Sequence, residues 1–238
     1  MPVYLLDKEL AFPPPEDANE EGIVAVGGDL RPERLLLAYR KGIFPWPARG
    51  YPLLWFSPDP RFAVEPWRAH VSRSLRKVIR KGQLRVTADT AFAKVINACA
   101  AVPRPHQRGT WITRELRDGY LGLHEIGYAH SIEAWRGDEL VGGLYGVALG
   151  TAFSGESMFA SEPDASKVAF ATLLGHLVAW GFRVVDCQVH TEHLARFGAT
   201  MWPRDRFLSV WRAAVDEPSR PAPWDLTMSP EQALERLP

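Results

Sequence analysis

Leu35, Leu36 and Tyr39 recur at the spacing of one helix face, between Asp29, which can cap a helix, Pro32, which suits a first turn, and Gly42, which ends one. The same periodicity predicts helices over residues 71–81, stopped by Gly82, and over 90–100, after Asp89. Another begins near Thr113 and stops at Gly127, with Leu116, Tyr120 and Leu123 sharing a face. A longer helix is expected from Asp164 to Trp180, with Phe170, Leu173, Leu174 and Leu177 on one face and Gly181 closing it, and a short one over 191–197. Strand-like runs occupy 84–87, 128–135, 139–147 and 151–159, and Arg136-Gly-Asp138 suits a hairpin turn between the second and third. Val184 and Val185 open another strand, and a last one is expected near 206–210. Helices, an antiparallel meander, a helix and a strand make an α+β domain with a mixed, largely antiparallel sheet.

Composition divides the chain. Residues 1–62 are turn-rich, with the rigid pieces Phe12-Pro-Pro-Pro15 and Pro45-Trp-Pro47 around one clear helix, and read as a small N-terminal α/β domain. Residues 63–238 carry the larger domain, and 217–238 form a Pro-rich tail, docked or loose. The formal net charge is zero, so attraction to a polyanion must come from a local patch. Two cysteines are too few for a disulfide framework, the N-terminus lacks a secretion signal, and the apolar runs fall short of the roughly 18 residues a membrane span needs. A cytoplasmic setting is expected, with no membrane partner.

The chain lacks a phosphate-binding Gly-x-x-x-x-Gly-Lys-Ser/Thr loop, a dinucleotide Gly-x-Gly-x-x-Gly and a Gly-x-Ser-x-Gly nucleophile elbow. The richest local chemistry is Asp186-Cys-Gln-Val-His-Thr-Glu-His193. A zinc site needs a third ligand beyond His190 and His193, and Cys187 lies on the strand side of a turn, so no metal is expected. As a nucleophile Cys187 sits poorly, among Val184, Val185 and Val189. Strand alternation puts Asp186 and Gln188 together on the face opposite Val185 and Cys187. Such a pair is either a structural hydrogen-bond network or a base and its orienting amide.

Five Lys or Arg fall in the twelve residues from His70 to Lys81. On a helix, Arg73, Arg76, Lys77 and Arg80 share one face, extended by Lys81, and Leu75, Val78 and Ile79 share the other. The face is either solvated or phosphate-tracking. Trp46, Trp55, Phe56 and Trp111 lie in Pro- and Gly-rich surroundings and either fill a core or wall a pocket.

Ten short stretches then point one way. They are Ala25-Val-Gly-Gly-Asp-Leu30, Gly42-Ile-Phe-Pro-Trp46, Trp55-Phe-Ser-Pro-Asp-Pro-Arg61, His70-Val-Ser-Arg-Ser74 and Gly109-Thr-Trp-Ile-Thr113, followed by Ala129-His-Ser-Ile-Glu133, Leu140-Val-Gly-Gly-Leu-Tyr-Gly146, Gly155-Glu-Ser-Met-Phe159, Ala165-Ser-Lys167 and Asp186-Cys-Gln188. In this order the chain resembles the leucyl/phenylalanyl-tRNA–protein transferase family. The resemblance implies a GNAT-like acyltransferase domain behind a small N-terminal domain. It implies transfer of Leu or Phe, less often Met, from aminoacyl-tRNA to acceptor proteins beginning with Arg or Lys, which marks them for N-end-rule degradation. The enzyme would be a monomer without a cofactor.

The resemblance also assigns roles. Trp46, Trp111, Phe153, Glu156 and Met158 would hold the donor's side chain and terminal adenosine, and Leu144, Leu173, Leu177 and Val185 would complete the apolar wall. Asp186, oriented by Gln188, would accept the amine proton. The basic helix would receive the tRNA backbone. Met158-Phe-Ala-Ser-Glu-Pro-Asp-Ala-Ser166 stands where a CoA-binding GNAT enzyme has its Gly-rich loop, so the rival CoA-dependent acetyltransferase lacks its phosphate cradle. A second rival, a non-catalytic tRNA-binding module, leaves Asp186 and Gln188 without a task. Magnitudes temper the base role. Deprotonating an α-amine at pH 7 costs only about 1–1.4 kcal/mol, whereas holding two reactants in attack geometry contributes roughly 7–11 kcal/mol.

Overall fold

The computed structural model describes residues 3–47, 50–102 and 110–238. The N-terminal part builds a small sheet from β1 (Tyr4–Leu6), β2 (Ile23–Gly27), β3 (Phe44–Pro45) and β4 (Leu54–Phe56), in the order β1-β2-β4-β3. These strands are too short for alternation to announce them, and the sequence pattern reveals only the helix between them. That helix, α1 (Pro32–Arg40), keeps Pro32 in its first turn and ends at Lys41 and Gly42, where φ is +75°. Its expected cap is corrected. Arg31 is the N-cap, and Asp29 instead accepts from the Arg31 amide (3.1 Å) and pairs with the buried Arg34 (3.4 Å).

Among the described residues the large sheet has seven strands, in the order β11-β5-β10-β9-β8-β7-β6. They are β5 (Arg61–Val64), β6 (Arg85–Ala88), β7 (Ala129–Arg136), β8 (Glu139–Leu149), β9 (Ala152–Ala160), β10 (Val184–Gln188) and β11 (Thr200–Trp202). The meander β7-β8-β9 is antiparallel, as the hairpin signals predicted, whereas β9 and β10 are parallel and joined by the crossover helix α5 (Ala165–Ala179). The fold is therefore α+β with a mixed sheet.

Two apolar clusters lie on the two sheet faces. One is built from the small sheet, α1, α3 (Phe92–Ala101), α4 (Arg114–Glu125) and α7 (Arg204–Val215). The other is built from α2 (Arg73–Arg80), α5 and the C-terminal segment, which includes α8 (Pro230–Leu234). A four-residue α6 (Glu192–Ala195), capped by Thr191, follows β10. Residues 206–210, expected as a strand, lie in α7. Phe207, Leu208 and Trp211 recur there at helical spacing and are buried, and over five residues that run reads equally well as a strand. The amphipathic reading of α5 was also too narrow. The helix is buried on nearly all sides, because α8 covers the face away from the sheet, with Ala233 packed against the backbone at Gly175.

The tail is docked. Trp224 is buried and stacks on His130 with centroids 3.8 Å apart, and its amide donates to Asp89 Oδ2 (2.7 Å). Asp89 also meets His130 Nδ1 (2.8 Å) and accepts from the Ser131 amide (3.0 Å). Burial alone would raise the Asp89 carboxyl, but His130 and the two amides overcome it and hold the group below the usual range. A lowered folded-state value stabilises above the unfolded value, and that stabilisation fades as pH falls through the folded one. Asp89→Asn is therefore expected to cost about 1–3 kcal/mol at pH 7. In urea unfolding the deficit should shrink below about pH 4, the ordinary Asp range.

Candidate active site

The site lies where the large sheet splits. β10 pairs with β9 only from Val184 opposite Ala152 to Asp186 opposite Ser154. Beyond that, a bulge and a positive φ at Gln188 (+62°) carry β10 away, while β9 continues beside β8 to Ala160. The opening is a cavity of about 830 Å³, of the size that binds small ligands. Phe44, Pro45 and Trp46 of the N-terminal part wall one side, and the first turns of α5 and residues 189–194 wall the other.

A connected polar cluster forms the split. Arg61 of β5 donates from Nε to Asp186 Oδ1 (2.8 Å) and from Nη2 to Oδ2 (2.6 Å), a bidentate pair with both side chains 1% exposed. Its Nη1 donates to the Gly42 carbonyl (3.1 Å), and its guanidinium lies over the rings of Phe44 and Phe207, 4.7 and 4.5 Å from their centroids. Asp186 Oδ1 also accepts from the Gln188 amide (2.8 Å). The Gln188 side chain donates to Glu156 Oε1 (2.9 Å), which also accepts from Ser154 Oγ (3.1 Å). Glu156 Oε2 accepts from Tyr120 (2.7 Å), whose hydroxyl meets that of Tyr39 at 2.5 Å.

These contacts distinguish the two carboxylates. Asp186 is matched by a buried cation. Among the described residues Glu156 is held by neutral donors alone, and burial pushes its carboxyl up to about 7 against their opposing pull. Burial and the neighbouring Glu156 charge raise Tyr39 and Tyr120 well above the usual phenol value, so both remain donors at neutral pH.

Of the residues to which the resemblance assigns roles, Trp46, Trp111, Leu144, Glu156, Met158, Val185, Asp186 and Gln188 line the cavity. Phe153, Leu173 and Leu177 do not. They are fully buried in the second cluster. The cavity meets only the N-terminal end of α5, and Leu173 and Leu177 lie about 5 and 10 Å further along the axis than Phe170, which does line it. Phe153 precedes the split, opposite Val185, and packs toward Trp224. Sequence reasoning missed Arg61, Tyr39, Tyr120 and Phe170. No local signal marks Arg61, because β5 is too short to show a period.

Cys187 borders the cavity, but burial raises its thiol and leaves it poorly nucleophilic. His190 is half-exposed against Phe62, while His193 sits in the cavity wall. Among the described residues no group of His, Cys, Asp and Glu converges on a metal position. On α2, Arg73, Lys77, Arg80 and Lys81 are exposed. Arg76 is half-buried and turned inward, donating to the carbonyls of Val71 (3.1 Å), Leu237 (3.4 Å) and Pro238. Gly109 of the quoted Trp111 stretch lies outside the described residues.

A raised carboxyl stabilises only while protonated, so its contribution is present below the unfolded value, near 4.5, and is lost as pH rises through about 7. The difference amounts to about 3 kcal/mol. Glu156→Gln is expected to remove that slope from urea-unfolding free energies measured between pH 5 and 8, and to leave the variant the more stable protein at pH 8.

Residues 28–59 match the family described as leucyl/phenylalanyl-tRNA protein transferase N-terminal domain, and residues 63–212 match leucyl/phenylalanyl-tRNA protein transferase. The leucyl/phenylalanyl-tRNA–protein transferase of Myxococcus xanthus is 61% identical over 226 residues, covering 94% of this chain and 97% of its own. Proteins of the same name from an Anaeromyxobacter species (56% identical, 95% and 96% covered) and from Magnetococcus marinus (52%, 97% and 99%) are similar throughout. This chain belongs to the leucyl/phenylalanyl-tRNA protein transferase family.

Proposed function

We propose that the protein moves Leu or Phe, and less often Met, from aminoacyl-tRNA to the N-terminal Arg or Lys of an acceptor protein, an addition that commits the acceptor to N-end-rule degradation. The observation that carries this reading is the Arg61–Asp186–Gln188–Glu156 cluster at the floor of an apolar cavity, in a chain whose relatives bear that name. The donor ester is already activated, so the reaction asks for an apolar pocket for its side chain, a carboxylate for the acceptor's amine and a way to hold them. The cavity supplies Trp46, Trp111, Leu144, Met158 and Val185 for the first and Glu156 for the second, while Arg61 engages both oxygens of Asp186.

In the proposed reaction the acceptor's neutral α-amine attacks the ester carbonyl carbon. The C–N bond forms as the C–O bond to the ribose oxygen breaks. The amine proton passes to ionised Glu156, the carboxylate whose value near 7 suits exchange at neutral pH, and from Glu156 to the departing ribose oxygen, which restores the carboxylate. Asp186, with both oxygens engaged by Arg61, holds Gln188 and the β10 backbone in place. Base catalysis therefore moves from Asp186, as the sequence resemblance had it, toward Glu156.

Finer parts of the reading have their own support. A parallel pair that opens after a crossover helix, inside an otherwise antiparallel meander, suits a GNAT-like acyltransferase. The small sheet suits a separate N-terminal domain over residues 1–62. The same reading takes the enzyme to be a monomer working in the cytoplasm; both cysteines are buried, and among the described residues no helix is long and apolar enough to cross a membrane.

Transfer of labelled leucine from Leu-tRNA is expected on a protein beginning with Arg and not on the same protein beginning with Ala; label on neither overturns the reading. For the basic helix, Arg73→Ala with Arg80→Ala should weaken tRNA binding. It should also reduce the slope of log affinity against log salt by roughly 0.7–0.9 for each phosphate that the helix no longer neutralises. An unchanged slope removes α2 from the interface.

A further inference from the structure

Part of the cavity has no task in the reaction above. Its lining follows β9 from Gly155 to Ala160, turns through Ser161 and Asp164, and reaches Lys167 on the first turn of α5. About 13 Å of strand separates Glu156 from Ala160. At this far end Lys167 and His193 share the wall.

Lys167 Nζ rests on Asp164 Oδ1 at 2.6 Å, with both side chains about one-third exposed. A pair in that setting is weakly held and open to a new partner. His193 has the opposite difficulty. Its Nε2 is buried and has no hydrogen-bond partner among the described residues. Burial first, then the charges of Lys167 and Arg196, lower its pKa, so at neutral pH the ring is uncharged and offers one N–H. An orphaned ring nitrogen beside a lysine, in a cavity wall, calls for an acceptor from the ligand.

The position suggests which acceptor. Pro163 and Asp164 also border a second, smaller cavity edged by Lys81, at the end of the basic helix. Glu162, the nearby acid, is held by Arg136 at 2.7 Å. The turn before α5 thus lies between Lys81, at the end of the basic helix, and Lys167, in the wall of the main cavity.

We propose that Lys167 and His193 form a phosphodiester subsite that receives the phosphate 5′ to the aminoacylated terminal nucleotide. The proposal rests on the transferase reading and adds to it the group that threads the donor's end into the cavity. Lys167 supplies charge and His193 supplies a directed N–H.

The test uses a non-hydrolysable donor analogue, phenylalanylamido-adenosine, with and without a 5′-phosphate, and calorimetric Kd values. The phosphate should tighten binding to the wild-type protein by about tenfold or more, the scale of a hydrogen bond to a charged group. Lys167→Met and His193→Gln should each remove most of that gain and leave the unphosphorylated analogue's Kd unchanged. Lys167 lies at the surface, so a folded variant is expected, and circular dichroism checks it. Equal binding of the two analogues by the wild type, or a phosphate gain that survives Lys167→Met, overturns the subsite alone. If neither analogue binds and no label is transferred from Leu-tRNA, the transferase reading falls and the subsite with it.

Discussion

The site depends on one buried ion pair. Arg61 and Asp186 come from strands far apart in sequence and meet with both side chains out of water. Breaking such a pair by removing one partner typically costs about 3–5 kcal/mol, because the other charge stays buried. The chain surrounds the guanidinium accordingly. Asp186 takes two of its nitrogens, the Gly42 carbonyl a third, and Phe44 and Phe207 cover its faces. Those four contacts come from β10, the end of α1, β3 and α7. A single side chain therefore fixes the N-terminal part, which carries Trp46, against the strand that carries Gln188.

The same pair sets the electrostatics of its neighbour. Asp186 neutralises Arg61, and among the described residues Glu156 is left with neutral donors. Had Arg61 faced Glu156 directly, that carboxyl would sit low and could not take a proton near pH 7. Two carboxylates a few residues apart in space thus acquire different tasks from their partners alone. The backbone contributes as well, since Gln188 reaches Glu156 only because its positive φ turns it out of the strand.

How far the sequence could be read follows from these contacts. The long periodic elements, α4, α5 and the β7-β8-β9 meander, were legible because one face of each is continuously apolar over several turns or pleats. The short strands β1 to β5 and β11 were not, since two to five residues cannot show a period, and residues 206–210 were misread for the same reason. Asp186 and Gln188 were found by alternation and by resemblance. Arg61 was not singled out, because nothing local says that an arginine at a strand start will be buried; its partner is 125 residues away. Leu173 and Leu177 were placed in the pocket by the resemblance, and they share a helix face with Phe170, which does line it. Helical phase says which side a residue faces, but not how far along the axis the cavity extends. Arg76 shares its phase with the exposed cations and is nonetheless spent on the C-terminal backbone.

Energetic scale explains why so much of this architecture serves to hold rather than to react. Removing a proton from an α-amine costs about 1–1.4 kcal/mol at neutral pH, so a base at Glu156 has little barrier to lower. Bringing an amine and an ester into contact is the larger task, worth roughly 7–11 kcal/mol. That sum requires rigid walls, and the walls here are a buried ion pair, a stacked tail and a sheet that parts at one defined residue. The tail enters this account through α5. Trp224, α8 and the backbone of 237–238 brace α5 and α2 from behind, so the wall bearing Phe170 cannot recede when a ligand presses on it. The C-terminal segment, remote from the polar cluster, is in this sense part of what keeps the reacting groups together.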